Sequence, residues 1–285
     1  MDSLAGTKAA KSRGLGGVLL CIWIVFSLAG CVRVSRYAYL SSCDRDIQKA
    51  TKAIEAAKND VQRAAGYADR ADAYAEKARY SRAFKLISSE EYERLFALAT
   101  KDYEQAARLN GDNADLYFRR GRAFYFRAAL DVMDGKKSSD FFAPAKADFS
   151  QAIQKNPRHE LAWDMRGLIG ESTGDLNGAI SDFEQEAALN PRSRYRLADA
   201  YCQRGSVYLR ERNYDPAIPD FEKAIADGSS SDACECEPYN PLLAIYLEKQ
   251  DYSKARSVVD RAGKAGKSIA PEYLEKLKTA TAASK

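Results

Sequence analysis

The chain has 285 residues, of which 46% are hydrophobic and 29% are charged, enough for one large domain or two small ones. Its 44 basic and 40 acidic residues leave a formal charge of +4, and the two signs alternate along the sequence. This balance excludes the clustered basic surface that binds nucleic acid, and it is typical of a charged helical protein.

The first thirty residues have the pattern of an export signal. Lys8, Lys11 and Arg13 give a positive start, and residues 16–29 (GGVLLCIWIVFSLA) carry no charge. This run is short for a helix that crosses about 30 Å of hydrocarbon at about 1.5 Å per residue. It fits the apolar core of a secretory signal, which is about 7–15 residues long.

The motif LAGC, residues 28–31, ends this segment. An aliphatic residue, two small residues and a cysteine at this distance from a basic start resemble the lipobox of bacterial lipoproteins. The resemblance implies that Cys31 carries a lipid, that residues 1–30 are removed, and that the protein is anchored in the cell envelope. Val32, instead of aspartate, favours the periplasmic side of the outer membrane over the inner membrane. The alternative is an uncleaved signal anchor, although Arg33 interrupts its extension.

An alanine-rich segment, residues 44–86, follows. Apolar residues recur every seven positions in two rows: Ile47, Ile54, Val61, Ala68 and Ala75, and, three positions further on, Ala50, Ala57, Ala64, Ala71 and Ala78. This spacing predicts one long helix with an apolar seam. Because alanine buries little area, we expect the seam to pack on a neighbouring helix and not to drive strong dimerisation alone. The helix would lift the main body off the membrane.

From about residue 64 the sequence repeats a two-part pattern. The first part has an aromatic residue, then arginine three positions later, then a small residue. Its four copies begin at Tyr67, Tyr117, Trp163 and Tyr201. The second part has alanine, then aspartate three positions later, then an aromatic residue. Its four copies begin at Ala99, Ala145, Ala179 and Ala217, and a fifth, degenerate copy of the whole pattern follows from Tyr239.

Trp163, Gly167, Ala179, Phe183 and Pro191 form the copy that most resembles the tetratricopeptide repeat, a helix–turn–helix of about 34 residues. The resemblance implies an all-α, right-handed superhelical solenoid of about five repeats. A small residue lets the two helices of a repeat cross closely, and an aromatic residue fills the space between neighbouring repeats. Glu186 departs from the pattern because it stands where a packing alanine is expected.

The predicted organisation has four parts. These are a lipoprotein signal peptide (1–30), a membrane-proximal tether with the start of the alanine-rich helix (31–63), the repeat solenoid (64–268) and a C-terminal capping helix (269–285). The first two repeats contain insertions. The one at residues 131–142 (DVMDGKKSSDFF) is typical of an extended helix end followed by a loop.

The sequence contains no recognisable catalytic or metal-binding motif. Its one histidine, His159, stands at a repeat boundary, where a surface role is expected. The recurring arginines fall in register with the recurring aspartates, so we expect them to pair within the solenoid or to face solvent. They are Arg70, Arg120, Arg166 and Arg204. We therefore predict a protein that is not an enzyme and needs neither a cofactor nor a metal ion.

Three cysteines suggest a disulfide bond in an oxidising compartment. Cys202 lies in the first helix of one repeat, and Cys234 and Cys236 lie at the start of the next. Because such helices pack side by side, we expect one of the pair to bridge to Cys202; free thiols and, last, a metal site are the alternatives. Cys43 would stay free or link two molecules.

The resemblance to tetratricopeptide repeats implies that partner proteins bind along a concave groove. The inward-facing positions of the family correspond to Phe118, Arg122, Tyr125, Asp164, Leu168, Glu171, Asp199 and Ser206. The leading hypothesis is a non-enzymatic envelope scaffold that assembles or regulates protein complexes. The alternatives are a structural spacer that links the membrane to the cell wall or to a second copy, and an inner-membrane protein with an uncleaved anchor.

Overall fold

Helical hairpins make up the described parts of the chain. The computed structural model describes residues 38–135, 142–228 and 237–283, and within these ranges the regular structure is helical, with no β-strand. The signal segment with Cys31, most of the insertion in the second repeat, and Cys234 and Cys236 lie outside the described residues. The chain divides into two compact units, residues 1–111 and 112–285.

Within residues 38–111 the first unit contains three helices: α1 over residues 38–56, α2 over Asp60–Ala83 and α3 over Ser89–Leu109. The prediction of a single long helix over residues 44–86 is therefore wrong. The chain leaves the helix at residues 57–59, and α2 folds back along α1. Near the open end of this hairpin the Tyr39 and Tyr80 ring centroids are 4.2 Å apart. The Lys77 ammonium lies 2.6 Å from an oxygen of Asp44.

Local chemistry explains why the segment breaks where it does. The side chain of Asn59 accepts a hydrogen bond from the backbone N–H of Gln62 at 2.9 Å, which caps the start of α2. Close packing of the two helices then depends on small residues along the seam. A Cβ added to Gly66 would lie 2.8 Å from the Ile54 side chain. The alanine seams therefore face each other within one hairpin.

The second unit contains nine α-helices within its described residues. They are α4 (Ala114–Met133), α5 (Ala143–Lys155), α6 (Glu160–Thr173), α7 (Leu176–Leu189), α8 (Arg194–Arg210), α9 (Tyr214–Gly228), α10 (Tyr239–Glu248), α11 (Tyr252–Lys264) and α12 (Pro271–Ala283). A short 3₁₀ turn, Pro191–Ser193, precedes α8. Helices α4/α5, α6/α7, α8/α9 and α10/α11 pair as successive hairpins. The long α4 extends to the start of the insertion, as the sequence predicts.

The first three of these hairpins each close around an aromatic ring from the second helix. Phe149, Phe183 and Phe221 are completely buried. A glycine of the first helix makes room for each ring. A Cβ added to Gly167 would lie 2.5 Å from Phe183, and one added to Gly205 would lie 3.1 Å from Phe221. The spacing of the repeat therefore predicts how closely the two helices of a hairpin approach.

The last helix, α12, packs on the end of this hydrophobic core. Leu277 is buried, and Tyr273 packs against the same cluster as Leu242 and Val258. Elsewhere the helix is largely exposed. In the described part of the chain, none of the helices is both long enough and apolar enough to cross a membrane.

Candidate protein-interaction site

The four recurring arginines pair with the four recurring aspartates. Arg166 on α6 donates from Nε and Nη2 to the two carboxylate oxygens of Asp182 on α7, at 2.9 and 2.6 Å. The same two-point pairing joins Arg70 to Asp102, Arg120 to Asp148 and Arg204 to Asp220. The aspartates are buried, whereas the arginine side chains keep about a fifth of their surface exposed.

These pairs connect α2 to α3, α4 to α5, α6 to α7 and α8 to α9. Each guanidinium also lies over the aromatic ring one turn earlier, at 4.9 Å for Arg166 and Trp163. A bidentate arginine–carboxylate pair fixes both distance and orientation. The expectation of pairing within the solenoid is confirmed, and the recurring arginines have a structural role.

A cavity of about 630 Å³ lies between α6 and α8. Its walls include Glu171 from α6 and Asp199, Cys202 and Ser206 from α8. All four stand at positions that the repeat pattern assigns to the groove. Gln203, on α8, donates from its side-chain amide to Glu171 at 2.9 Å, which connects the two first helices directly.

Three buried or half-buried carboxylates stand near a single guanidinium, that of Arg196 at the start of α8. Its Nε lies 2.6 Å from Oδ1 of Asp164, although this contact lacks the geometry of a hydrogen bond. Glu186 on α7 is 6% exposed, and its Oε2 has no hydrogen-bond donor. Glu171 also lies within the field of Arg196. The positive charge here is shared among more than one acid.

Burial raises the pKa values of these acids. The pKa of Glu171 rises to about 7, because of desolvation first and the nearby Asp199 second. Desolvation, followed by the charge of Asp164, raises the pKa of Glu186 to about 7 as well. The pKa of Asp164 is raised by desolvation, while Arg196 opposes the shift. Desolvation and then Asp164 raise the pKa of Tyr125, which places α4 beside the same cluster.

The predicted groove residues fall into two groups. The first group consists of residues that interact electrostatically: Tyr125, Asp164, Glu171 and Asp199. Ser206 lies on the wall of the same cavity as Glu171 and Asp199. Arg122 is partly exposed on α4.

Phe118 was predicted to face the groove, but it lies in the hydrophobic core. It is 7% exposed, with its ring 5.9 Å from that of Phe149 and 4.7 Å from that of His159. Leu168 is partly buried against the core of the neighbouring hairpins. His159 accepts a hydrogen bond from the N–H of Ala162 at 3.3 Å, so it caps α6. Because His159 stands at the start of α6, its ring lies over the ring of Phe118.

The described cysteines differ in state. Cys202 is disulfide-bonded and lines the cavity. Its predicted pairing with Cys234 or Cys236 stays a prediction, since both lie outside the described residues. Cys43 is a free thiol, only 5% exposed, and burial raises its pKa. A buried thiol of this kind is poorly placed to link two molecules.

Metal binding finds no support in the described ranges. No group of three histidine, cysteine or acidic side chains among residues 38–135, 142–228 and 237–283 is placed to hold an ion.

The sequence profile of the tetratricopeptide repeat matches residues 198–226, which span most of α8 and α9. The arginine–aspartate pair and the buried phenylalanine of this hairpin recur in α4/α5 and α6/α7. Residues 198–226 therefore form a tetratricopeptide repeat. The all-α repeat fold expected from the sequence is thereby confirmed. Proteins of this family generally serve as non-catalytic scaffolds for protein interaction, and no enzyme family is indicated.

Three crystal structures are similar to this chain. A structure of MamA is 19% identical and aligns over 62% of this chain and 92% of its own, with a TM-score of 0.38. A second MamA structure is 16% identical over 71% and 96%, with a TM-score of 0.37. BtubC (BKLC) from P. vanneervenii is 15% identical over 81% and 90%, with a TM-score of 0.43. A comparison with curated proteins found no match.

Sequence reasoning missed Arg196, which lines the cavity and interacts with Asp164, Glu171 and Glu186. The residue lies outside the recurring positions, so nothing in the repeat pattern marks it. The sequence feature that could have indicated this cluster is Glu186, because it stands where the repeat pattern has a small packing residue. A buried acid implies a nearby cation or a raised pKa.

Proposed function

We propose that this protein is a non-catalytic scaffold of the bacterial cell envelope. It is anchored through a lipid on Cys31, at the periplasmic side of the outer membrane, and it binds segments of partner proteins along the first helices of its repeats. The observation that carries the proposal is the cavity of about 630 Å³ between α6 and α8. Its walls combine polar and apolar side chains, and it lies between two successive first helices.

The polar side chains of the cavity suit recognition better than catalysis. Glu171 and Gln203 are held by a hydrogen bond across the two helices, which orders both before a partner arrives. The disulfide at Cys202 supports a location in an oxidising compartment. The same bond would hold the wall of the cavity in place.

The N-terminal hairpin favours the scaffold over the spacer. A spacer would need α1 and α2 to continue as one rod. Instead Tyr39 lies beside Tyr80, so the segment returns towards its starting point. The alanine seams of α1 and α2 pack against each other within one chain. This packing leaves less apolar surface for pairing with a second copy.

Site-specific photo-crosslinking tests the groove. A benzoylphenylalanine at Ser206 lies on the cavity wall, whereas one at the exposed Gln185 on α7 lies away from it. In cells that express the full chain, we expect discrete protein adducts from Ser206 and none of the same mass from Gln185. Adducts of equal yield at both positions, or none at Ser206 in a folded protein, would contradict the proposal.

A further inference from the structure

Taking the groove to bind a partner polypeptide, as proposed above, we infer that the cavity between α6 and α8 receives a basic side chain of that partner, with Glu171 as its principal acceptor. The inferred ligand is thus a lysine or arginine carried on a protein segment. The cavity, of about 630 Å³, exceeds the volume of a single side chain and is open to solvent, so the cation can enter from the groove.

The balance of charge favours a cation, because four acids stand in or beside the cavity and two arginines, Arg196 and Arg210, line it. The acids are Asp164, Glu171, Glu186 and Asp199. Arg196 acts electrostatically on Asp164, Glu171 and Glu186. Its guanidinium makes its closest contact with Asp164, at 2.6 Å. Glu171 receives a hydrogen bond from the neutral amide of Gln203. A charged donor binds a carboxylate about twice as strongly as a neutral one, so Glu171 can gain from an ammonium or guanidinium.

A buried oxygen atom shows independently that the cluster lacks donors. Oε2 of Glu186, a residue that is 6% exposed, has no hydrogen-bond donor. Glu186 interacts with Asp164 and Arg196, so these acids compete for one guanidinium. A further cation at Glu171 would reduce the negative potential at all three. Arg196 would then interact mainly with the two buried acids, Asp164 and Glu186.

A basic side chain fits better than a metal ion. Within the described residues, no three side chains of the kinds that ligate metals are close enough to hold an ion. An ammonium or guanidinium needs only one or two carboxylates at hydrogen-bond distance. Glu171 is such a carboxylate on the cavity wall, and Asp199 on the same wall adds negative charge beside it.

Binding of a cation at Glu171 must depend on pH. Charged and titratable groups surround it on four helices. They are Tyr125 from α4, Asp164 from α6, Glu186 from α7, and Arg196, Asp199 and Arg210 from α8. The pKa of Glu171 is about 7 without a partner, and a bound cation lowers it. Association therefore releases protons near and below pH 7, and affinity rises with pH through this range.

Two synthetic peptides test the chemistry on the full chain. One is acetyl-Ala-Ala-Lys-Ala-Ala-amide, and the other has Nε-acetyl-lysine at its centre, which removes the charge and keeps the stem. Binding is followed by NMR at the side-chain amide of Gln203. We expect the charged peptide to bind at least fivefold more tightly at pH 8 than at pH 6, and the acetylated peptide to cause no saturable shift.

The variant Glu171→Gln keeps the size of the side chain and removes its charge. We expect it to weaken the charged peptide at least tenfold at pH 8 and to remove most of the pH dependence. Glu211→Gln, at the exposed end of α8, is the matched control and should leave binding unchanged. Equal binding of the two peptides, no binding of the charged one, or full affinity in Glu171→Gln would each overturn the inference.

Crosslinking at Ser206 separates the two proposals. If the Ser206 adduct is lost in Glu171→Gln but kept in Glu211→Gln, the basic side chain of the partner is supported. An adduct that persists in Glu171→Gln means that the groove binds a partner by other chemistry, and the cation inference is wrong. No adduct at Ser206 in the otherwise unaltered chain would contradict groove binding itself.

Discussion

At the scale of single residues, the buried acids differ according to the cation beside them. Asp182 is matched by both nitrogen donors of Arg166. Glu186, four residues later on the same helix, has one oxygen without a donor. Similar burial therefore gives a stabilising contact in the first case and a raised pKa in the second. The repeat pattern contains Asp182, whereas Glu186 is a departure from it.

Breaking one arginine–aspartate pair should destabilise the second unit. Asp182→Asn leaves Arg166 without its carboxylate, and we expect a loss of about 2–3 kcal/mol, reduced from the cost at a fully buried pair because Arg166 is partly exposed. Asp112→Asn is the control, since Asp112 is fully exposed and solvent screens its pair with Lys155 at 3.2 Å, so its loss should have little effect. Urea unfolding measures both. Equal losses would show that the recurring pair contributes no more than a surface contact.

Glu186→Gln should stabilise the protein at high pH. The pKa of Glu186 is about 7 in the folded state and lower when unfolded, so the folded protein retains a proton that the unfolded chain has lost. Stability from this group is therefore present at low pH and falls as pH rises towards and through 7. Glutamine does not titrate.

Thermal unfolding at pH 5 and pH 8 measures the effect of Glu186→Gln. We expect little change at pH 5 and a gain at pH 8 of about 2–4 °C, which corresponds to about 1 kcal/mol. Glu211→Gln should give no such difference. A gain that is the same at both pH values would mean that the charge of Glu186 is not the cause.

At the scale of elements, the sequence predicts the repeats better than it predicts the N-terminal hairpin. Gly167, Phe183, Arg166 and Asp182 contact one another inside one hairpin, so their spacing carries the information. The alanine seam runs in the same seven-residue register through α1 and α2, and the break at residues 57–59 contains neither proline nor glycine. Only Asn59 marks the start of a helix there, and tertiary packing decides the rest.

The groove shows the same limit. Phe118 occupies a family position that faces inward, but the ring of His159 lies over it from the next hairpin. Contacts between hairpins depend on residues that do not recur. For this reason the repeat pattern selects Glu171, Asp199 and Ser206, which line one cavity, and does not reveal Arg196.

A distance measurement distinguishes the hairpin from a rod. Spin-labelled amino acids at Ser41 and Ala83, introduced without altering the cysteines, would be about 63 Å apart in one continuous helix at about 1.5 Å per residue. In the hairpin Tyr39 packs on Tyr80, so we expect a distance below about 25 Å. Labels at Ser41 and Ala53, both on α1, give the control distance of about 18 Å. A main population near the longer value for the first pair would contradict the hairpin.

At the scale of the whole molecule, the proposed function depends on where the chain resides. A groove that binds a partner in the envelope needs export, and a disulfide at Cys202 persists in an oxidising compartment. In a reducing compartment the wall of the cavity would lose that bond. The N-terminal motif and the cavity are therefore linked, although they are distant in sequence.

Intact mass spectrometry of the membrane fraction tests this link. In a bacterial host, the full chain should yield a species that begins at Cys31 and carries acyl chains, because the thiol of Cys31 is the proposed site of lipid attachment. Cys31→Ser should abolish the lipid, while Cys43→Ser, at a buried thiol, should keep it. An unlipidated chain that retains residues 1–30 would instead support a signal-anchored protein. The state of Cys202 would then depend on which side of the membrane the repeats face, and the search for a partner would have to begin there.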